Sequence, residues 1–185
     1  MSAAPDLLDV ARRIAGQARA GEEVEAYVAH SRDTDVTVRD GEVAEFAVAE
    51  SGGVGVRVVV EGRLGYAYAG SLDPDVVADV LAEARDNARF SAPDEWNGLP
   101  DAALAAAVPV ARLDLWRDDL AAVPTADKVA LALGLERAAA GLDPRVRTVE
   151  SASYGDAAVE SAVASSLGVA AATRRPVASC SVGAL

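Results

Sequence analysis

The sequence has little of the side-chain chemistry on which most enzymes depend. Its 185 residues include one cysteine, Cys180, and one histidine, His30, and only 4% are aromatic. A single cysteine excludes an internal disulfide, which fits a reducing cytoplasm. A zinc site needs three or four suitably spaced His, Cys or carboxylate ligands, and one histidine cannot form an HExxH pair. We therefore predict no catalytic, cofactor-binding or metal-binding residue in this chain.

Positive charge and long apolar runs are also scarce. Lysine and arginine number 17 against 29 acidic residues, so the net charge is −12. Nucleic-acid binding requires clustered basic side chains, and we expect no such partner. No apolar run approaches the roughly 20 residues that span a bilayer. Residues 1–17 lack the continuous apolar segment of a signal peptide. We expect a cytoplasmic protein with no membrane partner.

Residues 27–69 contain the strongest structural signal, two hairpin patterns in tandem. Asp40-Gly41 and Glu61-Gly62 each join two runs of alternating apolar residues. Such pairs favour a tight hairpin turn because glycine tolerates the positive φ that the turn requires. Glycines alternate with larger residues along both strands of the second hairpin. Because glycine on one strand face often marks close approach of another backbone, we predict a helix-covered face there.

The elements predicted along the chain define an α+β fold. Their order is α-ββββ-α-α-βββ, with helical patterns over residues 6–20, 74–90 and 125–141. Because the strands follow one another in hairpin runs, we predict antiparallel sheet with helices packed on one face. We place turns among the last three strands at Gly155-Asp156 and at residues 165–168.

The proposed organisation is one domain, residues 1–185, of a longer protein. Residues 1–90 supply a helix, four strands and a helix, and residues 125–185 supply a helix and three strands. Residues 91–124 contain four prolines and read as a long connection with short helical turns. Because residues 181–185 end within an apolar alternation, we expect the polypeptide to continue.

Two groups of residues are candidate sites, and each also has an ordinary structural interpretation. Cys180 and His30 could form a nucleophile pair if they met in space. A small cysteine in an alternating strand more often packs in the core, and we favour that role for Cys180. Asp33, Asp35 and Asp40 could hold a hard cation, but they lack EF-hand spacing and are interpreted as turn and surface acids.

Three further motifs are interpreted structurally. Residues 52–55, Gly-Gly-Val-Gly, resemble a phosphate loop but lack the following lysine and helix, so we predict a strand. Arg174-Arg175 could bind a carboxylate or phosphate, and the pair is more typical of a solvated strand before Pro176. Trp96 and Trp116 are predicted to pin residues 91–124 to the body, with an interface role as the alternative.

Five segments together carry a family resemblance: VRDGEVAEFAVAESGGVGVRVVVEGRLGYAYAG (Val38 to Gly70), NGLPD (Asn97 to Asp101), LDLW (Leu113 to Trp116), DPRVRTVESAS (Asp143 to Ser153) and SSLG (Ser165 to Gly168). In this order and spacing the chain resembles the N-terminal domain of the TldD/PmbA family, the modulator-of-gyrase metalloproteases. NGLPD followed by LDLW is closer to the PmbA, or TldE, branch. The zinc-binding HExxxH helix of the TldD branch lies beyond the matching region, and no zinc-ligand role is carried over to Cys180.

The resemblance implies a role in cytoplasmic proteolysis of unfolded proteins or peptides, within a homo- or heterodimer of family subunits. Zinc is implied for the catalytic family member and no cofactor for this chain. An open edge of an antiparallel sheet can accept an extended peptide as an additional strand. We therefore expect this domain to shape a substrate channel and part of the dimer contact. The alternative is a scaffold or oligomerisation module with no peptide contact.

Overall fold

The computed structural model describes residues 6–106 and 114–185. The strands are β1 Glu22–Arg39, β2 Glu42–Val60, β3 Arg63–Ala69, β4 Val149–Ser165 and β5 Ala170–Ala184. The helices within this part of the chain are α1 Leu7–Ala15, α2 Pro74–Phe90, α3 Ala102–Ala105, α4 Asp118–Ala121 and α5 Thr125–Ala140. The α+β class and the antiparallel arrangement are confirmed.

The strands form one sheet in the order β3-β2-β1-β4-β5. Two-residue turns join β1 to β2 and β2 to β3, as predicted. Both residues of each turn have positive φ: 55° at Asp40 and 79° at Gly41, then 50° at Glu61 and 71° at Gly62. This geometry matches the right-handed twist of the flanking strands. Residues 165–168 form the predicted β4–β5 turn, with Gly168 at φ 88°.

The strands are longer and fewer than the sequence pattern indicated. The turn predicted at Gly155-Asp156 is wrong, because β4 is continuous from Val149 to Ser165. A Cβ on Gly155 would lie 3.1 Å from Asp35 Oδ1 and 3.6 Å from Ser179 Oγ. This glycine therefore gives room to side chains of the neighbouring strands and does not reverse the chain.

The chain divides into two compact units. Unit 1 comprises Met1–His30, Ser51–Asp114 and Glu160–Arg174, and unit 2 comprises Ser31–Glu50, Leu115–Val159 and Arg175–Leu185. The prediction that residues 1–185 form one domain of a longer protein stays a prediction.

The core of unit 1 lies between one sheet face and two helices. The buried residues of α2 lie on one stripe, Val77, Val80, Leu81, Ala84 and Ala88. The first four pack with the buried face of α1 and with Val54, Val56 and Val58 of β2. At the start of α2, Asp73 is the N-cap residue and Pro74 is the first helical residue.

The glycines of the second hairpin lie on two different faces. Gly65 of β3 faces α2, and a Cβ there would lie 2.9 Å from the Cα of Ala88. The predicted close approach of a helix is therefore confirmed at Gly65. It is wrong for Gly53 and Gly55 of β2, since the alternate valines face the helices. A Cβ on Gly55 would instead lie 2.9 Å from the hydroxyl of Tyr66.

The connection after α2 is held to unit 1 by backbone contacts. The amide of Asp94 donates to the Gly62 carbonyl at 2.9 Å. The amide of Leu99 donates to Glu23 Oε2 at 2.7 Å. Trp96 is 86% exposed, so the prediction that its ring pins this segment is wrong. Short helices α3 and α4 confirm the predicted helical turns as far as the described residues reach.

Candidate functional site

Four polar side chains of unit 2 meet beneath helix α5. The ammonium Nζ of Lys128 lies 2.5 Å from Asp156 Oδ2 and donates to Thr34 Oγ1 at 3.2 Å. The hydroxyl of Tyr154 donates to the same Asp156 oxygen at 2.7 Å. We call Lys128, Asp156, Tyr154 and Thr34 the lysine cluster.

The local sequence explains how these side chains converge. Lys128, Ala132 and Glu136 are the buried residues of α5, and their spacing of four places them on one helical stripe. Tyr154 and Asp156 are two residues apart on β4 and so share one sheet face. Thr34 is buried on β1, on the face that Val36 and Val38 also occupy.

Lys128 is the only lysine among the 17 basic residues of the sequence. It is 9% exposed, although lysine is among the residues that are almost never fully buried without a partner. An ammonium on a flexible stem offers three rotatable donors, which suits a site with a carboxylate and a hydroxyl on different strands. No sequence motif marks Lys128 as a functional residue, and its uniqueness is the one signal that the sequence offers.

The cluster holds Tyr154 in its protonated form. Burial, the hydrogen bond to Asp156 and the negative charge of that carboxylate raise the pKa of Tyr154 to about 12. Tyr154 is therefore a hydrogen-bond donor and not a base near neutral pH. Asp156 Oδ2 accepts a hydrogen bond from the phenol of Tyr154 and also pairs with the ammonium of Lys128. The Lys128–Asp156 ion pair is therefore held in one position.

A cavity of about 160 Å³ adjoins the lysine cluster within unit 2. Its polar wall contains Arg32, Thr34, Thr125, Lys128 and Asp156. Its apolar wall comes from residues 120–123, Val48, Ala157, Ala158, Pro176 and Val177. The cavity therefore joins a positively charged end to an apolar body.

The β2 edge, which we define as Glu42–Glu50, is a second surface feature of unit 2. All residues of this segment are exposed, including Val43, Phe46 and Val48 at 44–48%. The ladder between β2 and β3 begins only at Val54. Among the described residues, the β2 edge therefore lies at the border of the sheet with backbone and apolar side chains accessible.

Two family models match the chain. Residues 24–88 match PmbA/TldA metallopeptidase domain 1, and residues 118–185 match the PmbA/TldA metallopeptidase central domain. Together the two matches cover most of the 185 residues. The chain belongs to the PmbA/TldD family. The resemblance identified from the sequence segments is confirmed.

Individual family members agree with this assignment. The metalloprotease PmbA of Escherichia coli O157:H7 is 31% identical over 150 residues, which are 80% of this chain and 33% of that protein. This chain thus spans about a third of the length of that PmbA/TldD protein.

Solved structures of the family share the fold. A Bacteroides thetaiotaomicron structure named as a modulator of DNA gyrase has a TM-score of 0.82 and 23% identity, and the match covers 94% of this chain and 40% of that one. TldE from Thermococcus kodakarensis has a TM-score of 0.69 and 22% identity, and the match covers 93% of this chain and 36% of that one.

The two residues of the candidate nucleophile pair, Cys180 and His30, lie in different units of this PmbA/TldD chain. Cys180 is exposed on β5 in unit 2, so the prediction that it packs in the core is wrong. The reason is that β5 is the outer strand of the sheet and is almost wholly exposed. His30 is partly buried on β1 and belongs to unit 1.

The candidate cation ligands have individual structural roles. Asp33 accepts a hydrogen bond from Ser31 at 2.7 Å, Asp35 lies beside Gly155, and Asp40 forms the β1–β2 turn. Within residues 6–106 and 114–185, no three His, Cys, Asp or Glu side chains are grouped as a metal site. The same ranges contain no helix long and apolar enough to cross a membrane.

The remaining motifs lie on strands or beside a short helix. Residues 52–55 lie within β2, as predicted, and Arg174 and Arg175 are exposed on β5. The indole of Trp116 donates to Asp118 Oδ1 at 2.6 Å, just before α4. None of these motifs belongs to the lysine cluster.

Proposed function

We propose that this chain is the part of a PmbA/TldE-type subunit that guides an extended peptide and contributes to pairing with a second family subunit. In this proposal the substrate is an unfolded protein or a peptide, and the protein acts in the cytoplasm. The zinc-dependent step occurs outside this chain. The family membership and the accessible β2 edge support the proposal.

The β2 edge is the observation that carries the proposal. A strand at the border of a sheet presents unpaired N–H and C=O groups, onto which an extended peptide can add as a further strand. Backbone hydrogen bonds recognise a peptide of any sequence, which suits unfolded substrates. The half-exposed Phe46 and Val48, which share one face of β2, would contact alternate side chains of such a peptide.

The residues of this chain do not fit a zinc site. Zinc in proteins is held by three or four nitrogen, sulfur or carboxylate ligands, and a hydrolytic site also needs an open position. The sequence offers one histidine and one cysteine, and the described acidic residues are not grouped with them. We therefore derive no hydrolytic step for this chain.

Site-specific photo-crosslinking tests peptide contact directly. The sequence contains two phenylalanines, Phe46 on the β2 edge and Phe90 at the end of α2, and both are exposed. A photoreactive phenylalanine analogue is placed at each position in turn, in the full-length protein with its family partner and a labelled unfolded peptide. We expect peptide labelling from position 46 and none from position 90.

The outcomes separate the proposal from its alternative. Labelling of only the partner subunit from position 46 would favour a scaffold without peptide contact. Equal peptide labelling from both positions would contradict a specific edge site. A peptidase assay of this chain alone with added zinc should show no turnover, and turnover would contradict the non-catalytic role.

A further inference from the structure

The cavity beside the lysine cluster carries a net positive charge in an acidic protein. Its charged lining residues are Arg32, Lys128 and Asp156, two cations and one anion. The whole chain carries −12, so the sign of the charge at this cavity is opposite to that of the chain as a whole. The positive excess favours a ligand with a single negative charge.

The lysine cluster orients that charge toward a fixed place. Lys128 is held by Asp156 at 2.5 Å and by Thr34 at 3.2 Å, so two of its three N–H donors have partners among the described residues. Since Lys128 also lines the cavity, its charge reaches an incoming ligand without a search through side-chain rotamers. Such preorganisation reduces the entropy lost on binding.

The beginning of helix α5 adds to the positive end of the cavity. Thr125, the first residue of the helix, lines the cavity, and no side-chain hydrogen bond caps this end. The first N–H groups and the helix dipole favour negative charge there, although Asp127 in the first turn offsets part of this effect. The helix end is a supporting contribution to a site that Arg32 and Lys128 define.

We infer that this cavity binds the carboxylate of a small aliphatic group. Arg32 and the Lys128 ammonium contact the carboxylate, and the apolar wall from residues 120–123, Ala157 and Val177 holds the hydrocarbon part. A volume of about 160 Å³ accommodates a body of four or so carbon atoms. This inference does not depend on the peptide-guiding role proposed for the β2 edge, although Val48 of that edge also lines the cavity.

The same chemistry has two sources, a free short-chain carboxylic acid and the C-terminal residue of a peptide with an aliphatic side chain. Butyrate and the tripeptide Ala-Ala-Val with a free carboxylate represent these sources. Butyramide and the amidated tripeptide are their uncharged counterparts. Titration of the full-length protein, followed by calorimetry and by the amide NMR signals of Thr34 and Lys128, measures binding.

We expect butyrate to bind at least about tenfold more tightly than butyramide, because a hydrogen bond to a charged group contributes more than one to a neutral group. If the tripeptide acid binds with the same preference over its amide, the site also accepts peptide C-termini. If only butyrate binds, the site is specific for free acids. Equal binding of butyrate and butyramide, or binding of neither, would overturn the inference.

Matched arginine variants locate the site. Arg32→Gln should weaken butyrate binding by about tenfold, because it removes a charged donor from the cavity. Arg145→Gln removes the same charge from an exposed residue of unit 2 that pairs with Asp143 and does not line the cavity. This control should bind butyrate like the unmodified protein. Equal weakening by both variants would indicate a nonspecific charge effect and overturn the site.

Lys128→Met removes the buried ammonium and tests its role in butyrate binding. The unfolding temperature of the variant, compared with that of the unmodified protein, shows whether it is folded. Binding of butyrate by a folded Lys128→Met variant with unchanged affinity would contradict the role of Lys128. Arg32 is exposed, so Arg32→Gln keeps the inference testable if the lysine variant does not fold.

Discussion

Lys128 shows how a single residue can contradict the usual sequence rule for burial. A lysine in an amphipathic helix is ordinarily assigned to the solvent face, yet Lys128 and Glu136 mark the buried stripe of α5. Each has a specific partner: Lys128 pairs with Asp156, and Glu136 Oε2 accepts from the Gly41 amide at 2.9 Å. Burial of a charge is tolerated here because the charge is paired.

Removal of the Tyr154 hydroxyl should change stability in a pH-dependent way. Because the pKa of Tyr154 is raised to about 12, the folded state keeps a proton that the unfolded state loses above pH 10. The free energy of unfolding should therefore fall as pH rises from about 10 to 12. Tyr154→Phe should cost about 1–3 kcal/mol at pH 7 and should reduce the alkaline fall. Urea unfolding at pH 7, 10 and 11.5 measures both effects.

Tyr68→Phe is the control, since Tyr68 is 74% exposed. That variant should stay within about 0.5 kcal/mol of the unmodified protein at pH 7 and keep its alkaline profile. If the free energy of unfolding of Tyr154→Phe falls at alkaline pH as steeply as that of the unmodified protein, Tyr154 is not the group responsible for the fall.

The Glu22–Arg85 pair of unit 1 predicts an acid-dependent loss of stability. Burial raises the pKa of Glu22, but the hydrogen bonds from Arg85 and Arg19 and their positive charges outweigh it, and the net pKa is lowered. The contribution of Glu22 is thus present above its ordinary pKa and is lost as pH falls through the lower, folded-state value. Glu22→Gln should cost about 1–3 kcal/mol at pH 7 and flatten the acid limb of a urea-unfolding profile.

An exposed pair supplies the comparison for this prediction. Asp86 and Arg89 lie 2.9 Å apart with both side chains more than 60% exposed. Asp86→Asn should change the free energy of unfolding by at most about 0.5 kcal/mol. A similar loss of unfolding free energy in both variants would contradict the prediction that partial burial strengthens the Glu22–Arg85 pair.

At the scale of elements, α2 and β3 form a close helix–strand contact that depends on Gly65. The α2 stripe was predictable in full, because helical spacing of valine, leucine and alanine leaves one arrangement for burial. Which glycine faces the helix was not predictable. Gly53, Gly55 and Gly65 all lie in alternating runs, and only the pairing of Val58 with Gly65 determines which glycine faces α2.

Substitution of two glycines should give effects of opposite sign. Gly65→Ala should destabilise the protein by about 1–3 kcal/mol, because the new methyl group would collide with backbone atoms of Ala84 and Ala88. Gly134→Ala, in α5 with open space where the new Cβ would lie, should stabilise it by about 0.5–1 kcal/mol. Chemical unfolding measures both. A stabilising Gly65→Ala would contradict the close contact.

At the scale of the whole molecule, the accessible β2 edge is the surface on which the proposed role in guiding substrate rests. Natural sheets often protect an edge with lysine, since its charge disfavours strand addition. No lysine occurs in the β2 edge, because the only lysine of the sequence is buried in α5. The charged residues of the edge are Glu42, Glu45 and Glu50, so the edge is accessible by its position in the sheet and not by its composition.

Phe46→Lys should block strand addition at the β2 edge. Because Phe46 is exposed, the variant should keep its free energy of unfolding within about 0.5 kcal/mol. In the full-length protein with its family partner, we expect a several-fold loss of unfolded-peptide cleavage. Phe90→Lys, at the exposed end of α2, should cleave like the unmodified protein. Full activity of Phe46→Lys would contradict a substrate role for this edge.

The sequence by itself determined the local elements: two tandem hairpins, the α2 stripe and the family segments. These features depend on neighbours along the chain, such as positive φ at an Asp-Gly turn or apolar spacing on a helix. Only the tertiary structure decided that Gly155 continues a strand, that Cys180 is exposed and that Lys128 is buried against Thr34 and Asp156. These outcomes depend on residues from distant strands, and no periodicity along one segment encodes such contacts.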